Sequence, residues 1–217
     1  MIRSTFENQL QDLTKNVILM GAFCEDIISK SVQVLKKENP SLVNDVTKTY
    51  QKIEQFERDI EEQCLKILLR QQPVAKDLRR VSAALKMVYD MKRIGAQASE
   101  ISEIVNQGHI KSGVELEYLQ KMVAHVVRMV TTSVDAFVYN DEKLANRVIS
   151  YDNTVDQDFD TIKVNLMTYF SGDDVDGEYA IDVLMVAKYI ERIGDHTVNI
   201  AKWVIFSITG QLDGDDI

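Results

Sequence analysis

The chain has 217 residues, 45% of them apolar and 27% charged, with a formal net charge of −9. That length fits one or two domains at about 100–200 residues each, and the apolar share suits a packed core rather than a disordered or membrane-spanning chain. The acidic balance argues against nucleic acid as a partner, since binding it relies on basic patches that neutralise phosphates, and disfavours an anionic membrane surface for the same reason.

Breakers are few. Nine Gly and two Pro fall below the typical usages of about 7% and 5%, so long helices are implied and turn-rich β folds are not. The opening MIRSTFENQL has no apolar run like that of a signal peptide. The longest apolar stretch, Val17 to Cys24, is far short of the roughly 20 residues that span a bilayer. Cys24 and Cys64 have no metal or redox spacing. They sit on apolar helix positions as small hydrophobes and fit a reducing compartment.

Helical periodicity dominates in chain order. The first row runs Phe6, Leu10, Leu13, Val17, Met20, Cys24, Ile27, Ser31, Leu35, with Ser4 and Glu7 as a capping-box pattern at its start. Asn39-Pro40 reads as an N-cap followed by Pro at the first helical position. The second row is Leu42, Val46, Tyr50, Ile53, Ile60, Cys64, Ile67, ended by Pro73. The third runs from Val74 through Leu85, Met91 and Ile94 to Val105, and Gly108 and Gly113 bracket a loop. The fourth runs from Leu119 to Phe137, and Asn140-Asp141 supplies a stop and a restart. The fifth runs from Leu144 to Tyr169, and Ser171 to Asp174 is the turn. The sixth runs from Ala180 to Ile205, with Trp203 read as packing near its end. An acidic tail, 211–217, follows.

Arg93-Ile94-Gly95 in the third helix recurs as Arg192-Ile193-Gly194 in the sixth. A glycine inside a helix costs about 1 kcal/mol against Ala, so its return at one repeat position points to close helix approach. The expectation is an all-α protein of six long helices, two similar three-helix bundles in tandem, spanning 1–110 and 111–210.

The chemistry concentrates on two acidic pairs. Asp152 and Asp156 lie one turn apart on the fifth helix, Glu191 and Asp195 one turn apart on the sixth. Helices joined by a short turn are antiparallel neighbours. A hairpin axis through Asp173-Asp174 sets Asp156 against Glu191 and Asp152 against Asp195. Four carboxylates converging in this way repel, which raises their pKa values or calls for a cation. Oxygen ligands suit Mg, Mn, Ca or Fe. A solvated or lysine-neutralised face is the alternative.

His196 and Asn199 are weaker ligand candidates. His196 stands about 100° around the helix from Asp195, and Asn199 one turn beyond it. His109 and His125 have no acidic spacing and read as structural or solvated. In the first half the same positions, with the axis at Pro73, hold Tyr50, Glu54, Lys92 and Ala96. Lys92 is expected to neutralise Glu54, leaving that half without a comparable cluster. A basic edge of Arg70, Lys76, Arg79 and Arg80 is a candidate contact for an acidic partner.

Two motifs then resemble the PhoU family of phosphate-transport regulators. One is Arg70-Gln71-Gln72-Pro73-Val74-Ala75-Lys76-Asp77-Leu78-Arg79; the other is Glu191-Arg192-Ile193-Gly194-Asp195-His196. The resemblance covers nearly the whole chain. It implies a cytoplasmic, often dimeric protein with multinuclear metal sites, iron or zinc among them. It also implies action with the ATPase of a phosphate ABC transporter and a two-component sensor histidine kinase, as a negative regulator of uptake and of the starvation response. Lys92 and Ala96 depart from the family's acid and Asp, so the metal ligands carry over only to Asp152, Asp156, Glu191 and Asp195.

A non-enzymatic adaptor is therefore the expectation. Helical di-iron enzymes place Glu-x-x-His on two helices, and no histidine here has that spacing. There is no Gly-rich phosphate loop or nucleophile–histidine arrangement either. A di-metal carboxylate enzyme and a purely structural scaffold are the alternatives.

Overall fold

A computed structural model describes residues 2–33, 40–71, 74–110, 115–172 and 175–211. Leu35, Asn39, Pro73, Gly113, the Asp173-Asp174 axis and the tail beyond Gln211 lie outside these residues, as do the side chains of Ser4, Arg70 and Gln71. The elements are α1 (Ile2–Gln33), α2 (Pro40–Gln71), α3 (Ala75–Asn106), α4 (Glu115–Tyr139), α5 (Glu142–Tyr169) and α6 (Gly177–Thr209). Every described element is helical, as the shortage of breakers requires.

Helix ends follow local chemistry. Asn140 adopts φ 51°, the left-handed conformation that Asn tolerates. Asp141 then caps α5, its side chain accepting from the Lys143 and Leu144 amides at 2.9 and 3.1 Å. Asp176 caps α6 by accepting from the Tyr179 amide. Gly210, at φ 82°, closes α6 with its amide donating to the Phe206 carbonyl. One expectation fails: α1 already runs from Ile2, so Ser4 stands inside the helix rather than capping it.

The predicted apolar rows become the core. Leu13, Val17, Met20, Cys24 and Ile27 of α1 and Val183, Ala187, Ile190 and Ile193 of α6 are all buried. At about 25 cal/mol per Å² of apolar surface removed from water, these rows hold the helices together. Burial pushes the Cys64 thiol up to about 12, so it behaves as an inert hydrophobe.

Each half is a three-helix unit, α1–α3 and α4–α6, yet the two halves share one continuous core. The broadest interface is between α3 and α6, across the halves, with α1 also packed on α4. Lys86 lies over the Trp203 ring, while Asp90 further along α3 bonds His196 further back on α6. The two central helices are therefore antiparallel. No described helix is long and apolar enough to cross a membrane.

Candidate metal centre

The α5–α6 hairpin has the register expected from sequence. Phe159 of α5 lies under Lys188 of α6, with the ammonium 5.2 Å from the ring centroid. The Asp152 carboxylate rests against the backbone of Gly194, where a built Cβ would stand only 2.8 Å from Oδ1. The glycine thus makes room for a carboxylate at the helix crossing. A side chain at this position would displace Asp152.

Electrostatics show the four acids acting on one another. Burial, then repulsion from Asp156, Asp195 and Glu191, pushes Asp152 up to about 6. Asp156 is raised by partial burial and by Glu191 and Asp160, with Lys188 opposing. Asp195 is raised by burial and Glu191, again opposed by Lys188. Glu191 Oε2 is buried and ion-paired with Lys188, but it accepts no aligned hydrogen bond. Lys188 is a member of the site that the sequence reading passed over. Its spacing three residues before Glu191 was the available signal.

These features fit a cation. Three acids have raised affinity for protons, and a single lysine, already held by Glu191, opposes four anions. All the donors are oxygens, which suits hard or borderline metals. Among the described residues, no three His, Cys, Asp or Glu side chains close to coordination distance. The acids share a patch rather than a preformed cage.

His196 and Asn199 do not join this patch. His196 Nδ1 lies 2.9 Å from Asp90 Oδ1, and Asn199 Nδ2 donates to the same oxygen at 3.4 Å. The step of about 100° per residue around a helix turns them toward α3. The buried Asp90 thereby ties the two halves together, and nothing in local spacing announced it.

The other histidines also have acidic partners on distant elements, correcting the reading that they lack them. His109 Nδ1 is 2.8 Å from Asp182 Oδ2. His125 Nδ1 lies 3.0 Å from Asp158 Oδ2, and Lys121 donates to the other oxygen of that buried acid at 2.7 Å.

In the first half, the Tyr50 ring takes the place of Asp152. A Cβ built on Gly95 would meet Tyr50 Cδ2 at 3.1 Å and Ile53 Cδ1 at 3.0 Å. Lys92 pairs not with Glu54 but with the buried Glu57, at 2.8 Å. Glu57 lies one turn further along α2, pointing inward, where lower polarity makes a charge partner more necessary. Of the basic edge, Lys76 is exposed, while Arg79 and Arg80 are partly buried.

A family model described as PhoU domain matches residues 17–105 and again 119–204, one copy on each three-helix unit. The chain belongs to the PhoU family. The phosphate-specific transport system accessory protein PhoU homolog of Pseudomonas aeruginosa is 33% identical over 214 residues, covering 96% of this chain and 87% of that protein. The Escherichia coli K12 accessory protein PhoU is 30% identical, covering all of this chain and 92% of its own length. The crystal structure of PhoU from Pseudomonas aeruginosa superposes with a TM-score of 0.88 at 33% identity, covering 95% of this chain and all of that one. The phosphate transport system regulatory protein PhoU from Streptococcus pneumoniae gives the same TM-score at 22% identity over 95% of this chain and 98% of that one, a likeness of fold.

Proposed function

We propose that this PhoU-family chain is a cytoplasmic regulatory accessory protein of a phosphate ABC transporter. It contacts the transporter ATPase and a two-component sensor histidine kinase, and restrains uptake and the starvation response when phosphate is plentiful. The observation that carries this reading is near-full-length kinship with phosphate-specific transport accessory proteins, in both repeats. Its working form is a homodimer. It acts through other proteins, because a charge of −9 does not favour DNA.

The same reading assigns a bound metal, iron or zinc, to Asp152, Asp156, Glu191 and Asp195. Such a cation supplies positive charge to an otherwise anionic outer face. The chain's own residues prepare that face. Gly194 admits the Asp152 carboxylate, Lys188 restrains Glu191, and the contacts of His196 and Asn199 with Asp90 hold α6 against α3. All three histidines are engaged by acids outside the patch, which favours an adaptor over a histidine-using di-metal enzyme.

The test is co-purification from cells grown at high and low phosphate, without a His-tag or chelator, with elemental analysis of the eluate. Recovery of the ATPase and the kinase with bound metal supports the reading. Normal repression in a strain lacking this chain overturns it.

A further inference from the structure

Near the ends of α1, α3 and α6, remote in sequence from the acidic patch, a cavity of about 530 Å³ opens beside Arg80. That lies within the range of about 300–1,000 Å³ of small-ligand sites. Lys76, Arg80 and Lys15, the last paired with Asp12 at 3.0 Å, line it, with Asp77 the only acid among the described lining residues. A cationic mouth is unexpected in a chain carrying −9.

Arg80 is the key group. Its Nη1 donates to Asn140 Oδ1 at 3.1 Å and its Nη2 to Thr14 Oγ1 at 3.3 Å. The guanidinium lies over the Phe137 ring at 5.1 Å. Burial lowers its pKa, and Asp77 only partly offsets this. Among the described residues, no carboxylate lies within ion-pair distance of Arg80 or Lys76. A half-buried guanidinium held from two sides, with Asp77 one turn away as its nearest counter-charge but not ion-paired to it, keeps donors free for a planar, multidentate oxyanion contact.

The remaining polar groups set the sign of the ligand. The hydroxyls of Thr14 and Ser207 already donate to the carbonyls of Leu10 and Val204. The Asn140 carbonyl oxygen is taken by Arg80, which leaves its amide hydrogens. Among the described lining residues the cavity is donor-rich, with Asp77 as the one carboxylate. A lone carboxylate among cations accepts from an oxyanion that keeps a hydroxyl, as hydrogen phosphate does and sulfate at neutral pH does not.

We propose that this cavity, centred on Arg80 with Lys76 and Asp77, binds a phosphoryl oxyanion. It is either free hydrogen phosphate or a phosphomonoester taken up as its monoanion, the form that keeps a hydroxyl. The proposal is independent of the metal reading. It also gives Lys76 and Arg80 of the basic edge a shared role.

The test is titration calorimetry on the full chain, in EDTA, with inorganic phosphate, AMP and sulfate. One saturable site is expected for phosphate or AMP, with sulfate weaker. Which of the two saturates identifies the source. Lys76→Glu, at an exposed position that folding tolerates, should weaken binding about tenfold. Arg80→Lys, which keeps the charge and loses the fork, should weaken it similarly. Asp77→Asn should narrow the gap between phosphate and sulfate, and Lys48→Glu, which reverses an exposed α2 cation, should change nothing. The proposal is overturned if neither phosphate nor AMP binds, if both cavity variants bind like the parent, if sulfate binds as tightly as phosphate, or if binding appears only without EDTA.

Discussion

The two halves use one backbone plan with opposite side-chain chemistry at the same place. Gly194 receives the Asp152 carboxylate, and Gly95 receives the Tyr50 ring. Where the second half gathers four carboxylates against Lys188, the first closes Lys92 onto a buried Glu57. The central helices repeat the contrast. Aligning Gly95 with Gly194 sets Tyr189 at the position of Asp90 and Gln97 at that of His196. Asp90 and His196 bond each other, whereas the buried Gln97 keeps a carbonyl oxygen without a partner. The two copies therefore share a close helix approach at a glycine and differ in the polar groups placed around it.

The largest expected effect comes from forcing the halves to match. Lys92→Glu should destabilise the protein by about 3 kcal/mol in denaturant titration, because it leaves Glu57 buried without a cation. Transplanting a metal site with Tyr50→Asp, Lys92→Glu and Ala96→Asp therefore also needs Glu57→Gln. With it, the first half should gain metal by elemental analysis, and a stable fourfold variant that stays metal-free would break the comparison.

Next in size is the loss of the second-half site. Glu191→Ala or Asp156→Ala should lower metal affinity at least about tenfold, near 1.4 kcal/mol, with the helical circular-dichroism signal unchanged. Unaltered metal stoichiometry in both variants would remove the carboxylate assignment.

The paired glycines sharpen the contrast further. Gly95→Ala pushes a Cβ against the packed Ile53 and Tyr50 side chains and should cost about 1 kcal/mol net, overpacking outweighing the helix-propensity gain. Gly194→Ala meets the movable end of Asp152 instead. Its thermal midpoint should stay near that of the parent while metal affinity falls.

The smallest effect is on pH dependence. Asp152 is held at about 6 against an ordinary 3.8. A carboxyl raised on folding contributes stability that is full below its unfolded pKa and is lost as pH rises through its folded one. The chelated protein, compared with Asp152→Asn, should therefore lose relative stability between about pH 4 and pH 7. A flat difference would mean the repulsion is not felt at Asp152. No counterpart titration is expected from Tyr50, whose pKa is raised from an already basic value by burial and then Glu54.

Local sequence was enough for much of this molecule. The spacing of apolar residues gave six helices because burial of one stripe per helix leaves a periodic trace. Asp141 and Gly210 act at helix ends through groups within four residues of themselves. The convergence of Asp152, Asp156, Glu191 and Asp195 was legible because a short turn fixes an antiparallel register, and register converts numbering into proximity. Other contacts required the tertiary structure. Glu57 rather than Glu54 holds Lys92 because the inward position is the one that needs a counter-charge. Asp90 captures His196 and Asn199, and Arg80 turns into a cavity beside Asn140 and Thr14, because α3 packs across the halves onto α6 and near α1. Such pairings join residues tens of positions apart. Periodicity determines which face of a helix is buried, but only the packed arrangement of helices decides which polar groups meet there.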